Sequence, residues 1–148
     1  MIRREGFLLY ECLEDDKHNI AELLKYLVKL GCIRQAKDIF NQYRTSFPRK
    51  QDVYFIAAAI AIAENRFAEA EHIVAQGLAI DCGNSELICQ AADIYNKTGR
   101  LHQAIYKYQQ ALVVAADSET AKINTLIEDV KQTSEYITVQ QAIMSIFA

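Results

Sequence analysis

Apolar residues recur at intervals of three and four along most of this chain: Ile20, Leu23, Leu24, Leu27 and Val28, then Ile33, Ala36, Ile39, Phe40 and Tyr43. That spacing lines them along one face of a helix, and no stretch sustains the alternation of period two that a half-buried strand requires. The pattern breaks at "LGCI" (30 to 33), "FPRKQD" (47 to 52), "ENRF" (64 to 67), "DCGNSE" (81 to 86) and "TGRL" (98 to 101). These breaks divide the middle of the chain into short helices and predict an all-α fold. One stretch departs from the amphipathic rule. "DVYFIAAAIAIAENRF" (52 to 67) has no charge between Asp52 and Glu64 and is apolar all the way round a helix, so it needs cover on every side.

The breaks are themselves periodic. With Lys17, Gln51 and Ser85 set in register, 34 residues apart, the turn column reads Gly31, Asn65 and Gly99, residue types that accept the left-handed backbone following a helix C-terminus. The next columns read Ile33, Phe67 and Leu101, then Ala36, Ala70 and Ala104, then Phe40, Val74 and Tyr108, then Tyr43, Gly77 and Ala111. Within the first helix of each unit, Leu24, Ala58 and Ala92 align, followed by Leu27, Ala61 and Tyr95. Three helix-turn-helix units follow without a gap: 17–50, 51–84 and 85–118.

These columns resemble the tetratricopeptide repeat, a helix-turn-helix with a small residue at its eighth place, Tyr at the eleventh, Gly at the fifteenth, Ala at the twentieth, an aromatic at the twenty-fourth and Ala at the twenty-seventh. The unit "SELICQAADIYNKTGRLHQAIYKYQQALVVAAD" has Ala92, Tyr95, Gly99, Ala104, Tyr108 and Ala111 at those six places. The first unit keeps Gly31, Ala36 and Phe40, with Pro48 near its end; the second keeps Ala58 and Ala70. The resemblance covers residues 17 to 118 and implies one domain over 1–148, its three units stacked as a right-handed superhelix. Residues 1–16 would form an N-terminal cap and 119–148 the C-terminal capping helices. The first of these would open at Ser118 and turn Ile123, Leu126, Ile127 and Val130 inward; a second would run from about Tyr136 to Phe147.

Composition narrows the partners. Sixteen Lys and Arg against nineteen Asp and Glu give a net charge of -3, with no basic run to follow a phosphate backbone, so nucleic acid is not expected. The apolar run from Val53 to Ala63 is shorter than the roughly 20 residues a membrane-spanning helix needs, so membrane insertion is not expected either. Four cysteines, Cys12, Cys32, Cys82 and Cys89, lie at scattered spacings and read as free thiols of a reducing cytoplasm. No phosphate loop, nucleophile elbow or metal-ligand spacing occurs, so neither catalysis nor a cofactor or metal is expected.

By resemblance, the first helix of each unit lines a concave face that holds a peptide or a partner's helix. On this chain that face implies Lys25 and Lys29 from the first unit, Phe55, Ile56, Ala59 and Ile62 from the second, and Glu86, Cys89, Asp93 and Lys97 from the third. The places where members with a carboxylate clamp carry Lys, Asn and Arg hold Ala21, Lys25, Phe55, Ala59, Cys89 and Asp93 instead, which argues against an acidic-tail ligand. The expectation is a non-catalytic, cytoplasmic chaperone or adaptor for an apolar segment of a protein or peptide. Its architecture is similar to the small helical-repeat chaperones of bacterial type III secretion. Two alternatives leave the apolar face covered by the chain's last helix, through Tyr136, Val139, Ile143 and Phe147, or by a second copy, as in a homodimeric scaffold subunit.

Overall fold

The computed structural model describes residues 20–147, so the expected N-terminal cap over 1–16, Cys12 included, lies outside the described residues. Eight helices follow one another in the described chain: α1 Ile20–Lys29, α2 Ile33–Tyr43, α3 Lys50–Ala63, α4 Phe67–Ile80, α5 Ser85–Lys97, α6 Leu101–Val114, α7 Asp117–Lys131 and α8 Ser134–Phe147. Among the described residues there is no strand, as the spacing of apolar positions predicts. None of these helices is long and apolar enough to cross a membrane.

The three turn positions share one conformation. Gly31, Asn65 and Gly99 have φ of 82°, 61° and 81°. Around each, the same hydrogen bonds close the preceding helix: Gly31 N donates to Val28 O and Cys32 N to Leu27 O, Asn65 N to Ile62 O and Arg66 N to Ala61 O, Gly99 N to Asn96 O and Arg100 N to Tyr95 O. This satisfies carbonyls that a helix end otherwise leaves unpaired. The alanines five residues beyond, Ala36, Ala70 and Ala104, are all fully buried. A methyl group at that place lets a neighbouring helix approach closely.

The helices gather into two compact units, one through Ile73 and one from Val74, with the boundary inside α4. In the first unit α1, α2 and α3 pack on one another. Their core holds Ile20, Leu24, Leu27, Ala36, Ile39, Phe40, Tyr43, Ile56 and Ile60, and Phe47 folds back to stack on Phe40 at 5.9 Å. The apolar surface of α3 is thereby covered in part. Ile56, Ala58, Ile60 and Ala61 are buried, Val53, Phe55 and Ala57 are half-buried against the core of this unit, Tyr54, Ala59 and Ile62 are half-buried, and Ala63 is open.

In the second unit α5 against α6 is the most extensive helix pair, α6 packs on α7, and α7 touches α8. Ile88, Ala92, Leu101, Ala104, Ile105, Tyr108 and Ala111 join Ile123, Ile127 and Val130 of α7 in one core. Asn84 caps α5 by accepting from Leu87 N at 3.2 Å, and Ser85 Oγ donates to Glu119 at 3.1 Å. The expectation that α7 opens at Ser118 is corrected: the helix begins at Asp117, preceded by Ala116 with no side-chain cap.

The 34-residue spacing of elements continues once more than the sequence columns reveal. Adding 34 to α5 gives 119–131 and adding 34 to α6 gives 135–148, close to the observed α7 and α8. The turn between them repeats one of these bonds, Thr133 N to Val130 O. Thr133, Thr138 and Ala142 stand where the third unit has Gly99, Ala104 and Tyr108, which hides the relation in sequence.

Candidate functional site

On α3, Phe55, Ala59 and Ile62 fall at intervals of four and three, so they form one stripe along the helix, and all three are half-buried. Lys25 of α1 borders it. Its ammonium lies 4.9 Å from the Phe55 ring centroid, 3.7 Å from Asp52 Oδ1 and 3.4 Å from Glu22 Oε1. The Lys25 and Asp52 side chains are only 18% and 14% exposed, so this pair is shielded enough to hold its geometry, unlike a fully solvated ion pair. Lys29 is exposed in the last turn of α1, where its charge suits the helix C-terminus.

Ile56 does not belong to this stripe. The repeat resemblance places it on the open face, but it is fully buried in the core with Ile20, Leu24 and Ile60. One residue beyond Phe55 on a helix is a turn of about 100°, enough to carry the side chain from the open stripe to the core.

The four residues expected on α5 separate in the same manner. Glu86 and Lys97 are exposed, whereas Cys89 and Asp93 are half-buried. Asp93 accepts a hydrogen bond from the Tyr108 hydroxyl of α6. Burial pushes the Asp93 carboxyl above its ordinary range, while the Tyr108 bond and the charges of Lys97 and Lys122 pull it back. The Tyr108 phenol is raised in turn, by burial and by the Asp93 charge. Burial, with Asp93 and Glu119 adding to it, lifts the Cys89 thiol to about 11. A thiol held protonated in this way is a poor nucleophile.

Tyr108 and Asp52 are legible in sequence only as packing and as a helix-face residue; their partners come from other helices, fifteen and twenty-seven positions away. Among the described residues no three His, Cys, Asp or Glu side chains gather as a metal site. In the second unit a cavity of about 470 Å³ is lined by Leu78, Ile88, Val113 and Val114, with Cys82, Lys107 and Gln110 at its polar edge. The final helix covers little of its own apolar surface. Tyr136 packs against the core and lies 4.9 Å from the His102 ring, while Val139, Ile143 and Phe147 are exposed.

Compared with known proteins, the chain matches no family model and no curated protein.

Proposed function

We propose that the chain is a non-catalytic protein-binding module of the tetratricopeptide type, a small chaperone or adaptor that holds an apolar segment of a partner protein. The family reading is supported by the left-handed turns at Gly31, Asn65 and Gly99, each followed five residues on by a buried alanine. The binding reading is carried by one observation, the half-buried stripe Phe55, Ala59 and Ile62 bordered by the shielded Lys25 and Asp52. A stripe of this kind leaves apolar area to be covered, while the neighbouring ion pair orients what lies over it. Lys29 in the first unit, and Glu86 and Lys97 in the second, supply exposed charge for orientation. Cys89 and Asp93 contribute less, both being half-buried and Asp93 accepting from the Tyr108 hydroxyl.

The mechanism is masking. An apolar segment resting on Phe55 and Ile62 leaves water and is kept from aggregating, in a cytoplasmic setting similar to that of type III secretion chaperones. Ala59→Glu sets a charge at the centre of the stripe. With helicity unchanged by circular dichroism, proteins that co-purify with the wild type from the cells that make it are expected to be lost. Recovery of the same set with the variant would remove the stripe from consideration.

A second reading, an oligomerising or scaffold subunit, is favoured by the exposed apolar side chains of α8.

A further inference from the structure

The cavity of the second unit, about 470 Å³, is walled by Leu78 of α4, Ile88 of α5 and Val114 of α6, with Val113 at its rim. Its volume falls within the roughly 300–1,000 Å³ typical of small-molecule sites. The mouth is open: Val113 is 85% and Val114 45% exposed, so apolar surface that a ligand could cover stands in water. Among the described lining residues Lys107 is the one that carries a charge. Lys107 and Gln110 stand three apart on one face of α6 and are both half-buried. Among the described residues neither makes a hydrogen bond or an ion pair. Asp81, which precedes Cys82, is the acidic residue adjoining the lining in sequence, and its carboxylate accepts from Asn84 Nδ2 at 3.3 Å instead of meeting Lys107.

We propose that this cavity binds a small amphiphilic carboxylate of the medium-chain fatty-acid class, its alkyl tail against Leu78, Ile88 and Val114 and its headgroup on Lys107 and Gln110. The tail answers the apolar walls. The headgroup answers Lys107: an ammonium partly withdrawn from water and without a counter-charge gains a charge-assisted hydrogen bond from a carboxylate. The Gln110 amide can donate to the second carboxylate oxygen. A neutral amphiphile forgoes the first of these bonds, and a cationic one is repelled. An extended protein segment fits less well, since it brings backbone N–H and C=O groups that need partners, and the wall residues of α4, α5 and α6 spend theirs within their own helices. The site uses no residue of the Phe55 stripe and stands independently of what that stripe holds.

Isothermal titration of decanoate, kept below the concentration at which it forms micelles, into the 148-residue chain tests the assignment, with amide shifts in two-dimensional NMR to place the ligand. One equivalent per chain is expected, with the largest shifts at Leu78, Ile88, Lys107 and Val114. Replacing decanoate by decan-1-ol, or Lys107 by Gln, is expected to weaken binding roughly tenfold, the loss of one charge-assisted hydrogen bond. Lys107→Arg retains the affinity, and Val114→Glu abolishes binding with unchanged circular dichroism. Ala59→Glu on the stripe and Ile143→Glu on the last helix leave the affinity unaltered, which separates this site from both. Absence of saturable binding, equal affinity for the acid and the alcohol, or shifts that centre on α8 overturns the proposal. So does an apolar peptide that shifts the same amides at lower concentration than decanoate, since the cavity is then a groove for protein.

Discussion

Asp93 shows how one polar residue is tolerated in a helical core. Its carboxylate is half-buried on α5, where desolvation penalises the charge, and the Tyr108 hydroxyl supplies the compensating donor. Because the folded carboxyl titrates above its ordinary value of 3.8, the folded state holds its proton longer than the unfolded chain does. Stability from this group is therefore complete below pH 3.8 and is lost as pH rises through the folded value. Asp93→Asn keeps an oxygen to accept from Tyr108 and removes the titration. The melting temperature of this variant is expected to exceed that of wild type at pH 7, and the gain is expected to vanish below pH 3.8; a gain of equal size at both pH values would show that desolvation is not the cause. Neither the pairing nor its titration is legible in the sequence. There Asp93 and Tyr108 stand as a groove residue and a packing residue, and only the docking of α6 on α5 makes them partners.

At the scale of the element, the turns carry the clearest link from sequence to structure. Gly31 and Gly99 have open space where a Cβ would stand, so the strain of a side chain there is that of the backbone alone. Gly99→Ala is expected to cost about 1–2 kcal/mol, the penalty of a left-handed backbone for a residue with a Cβ. Asn65→Gly relieves what strain the asparagine already carries at φ 61° and is expected to change stability by less than about 0.5 kcal/mol. Chemical denaturation of both variants measures the contrast; equal effects would mean that the turns are held by their neighbours and not by their own torsions. The spacing of elements is legible because Gly and Asn announce a left-handed residue. The fourth helix pair is hidden because Thr133 closes α7 without one, and because Thr138 replaces the alanine expected at the helix contact. Ile56 is the complementary case: its helix follows from the sequence, yet its side chain points to the core, since a resemblance assigns faces by position while packing assigns them by angle.

For the whole molecule, the two cores share no residue: one is built around Leu24 and Phe40, the other around Tyr108 and Ile123. In proteins of short repeats, stability is close to a sum of local terms. Leu24→Ala, at a fully buried site, is expected to cost about 2–5 kcal/mol and to speed amide exchange in α1, α2 and α3 more than in α6 and α7. Uniform acceleration along the chain would instead mark a single cooperative fold. By itself the amino-acid sequence determined the helical class, the period of 34 and the three left-handed turns, because periodicity and backbone torsion are local properties written in consecutive residues. The tertiary structure alone decided which apolar residues are covered. It buried Ile56, left Phe55, Ala59 and Ile62 half open, and exposed Ile143 and Phe147, because burial depends on which helices meet, and those contacts join residues far apart along the chain.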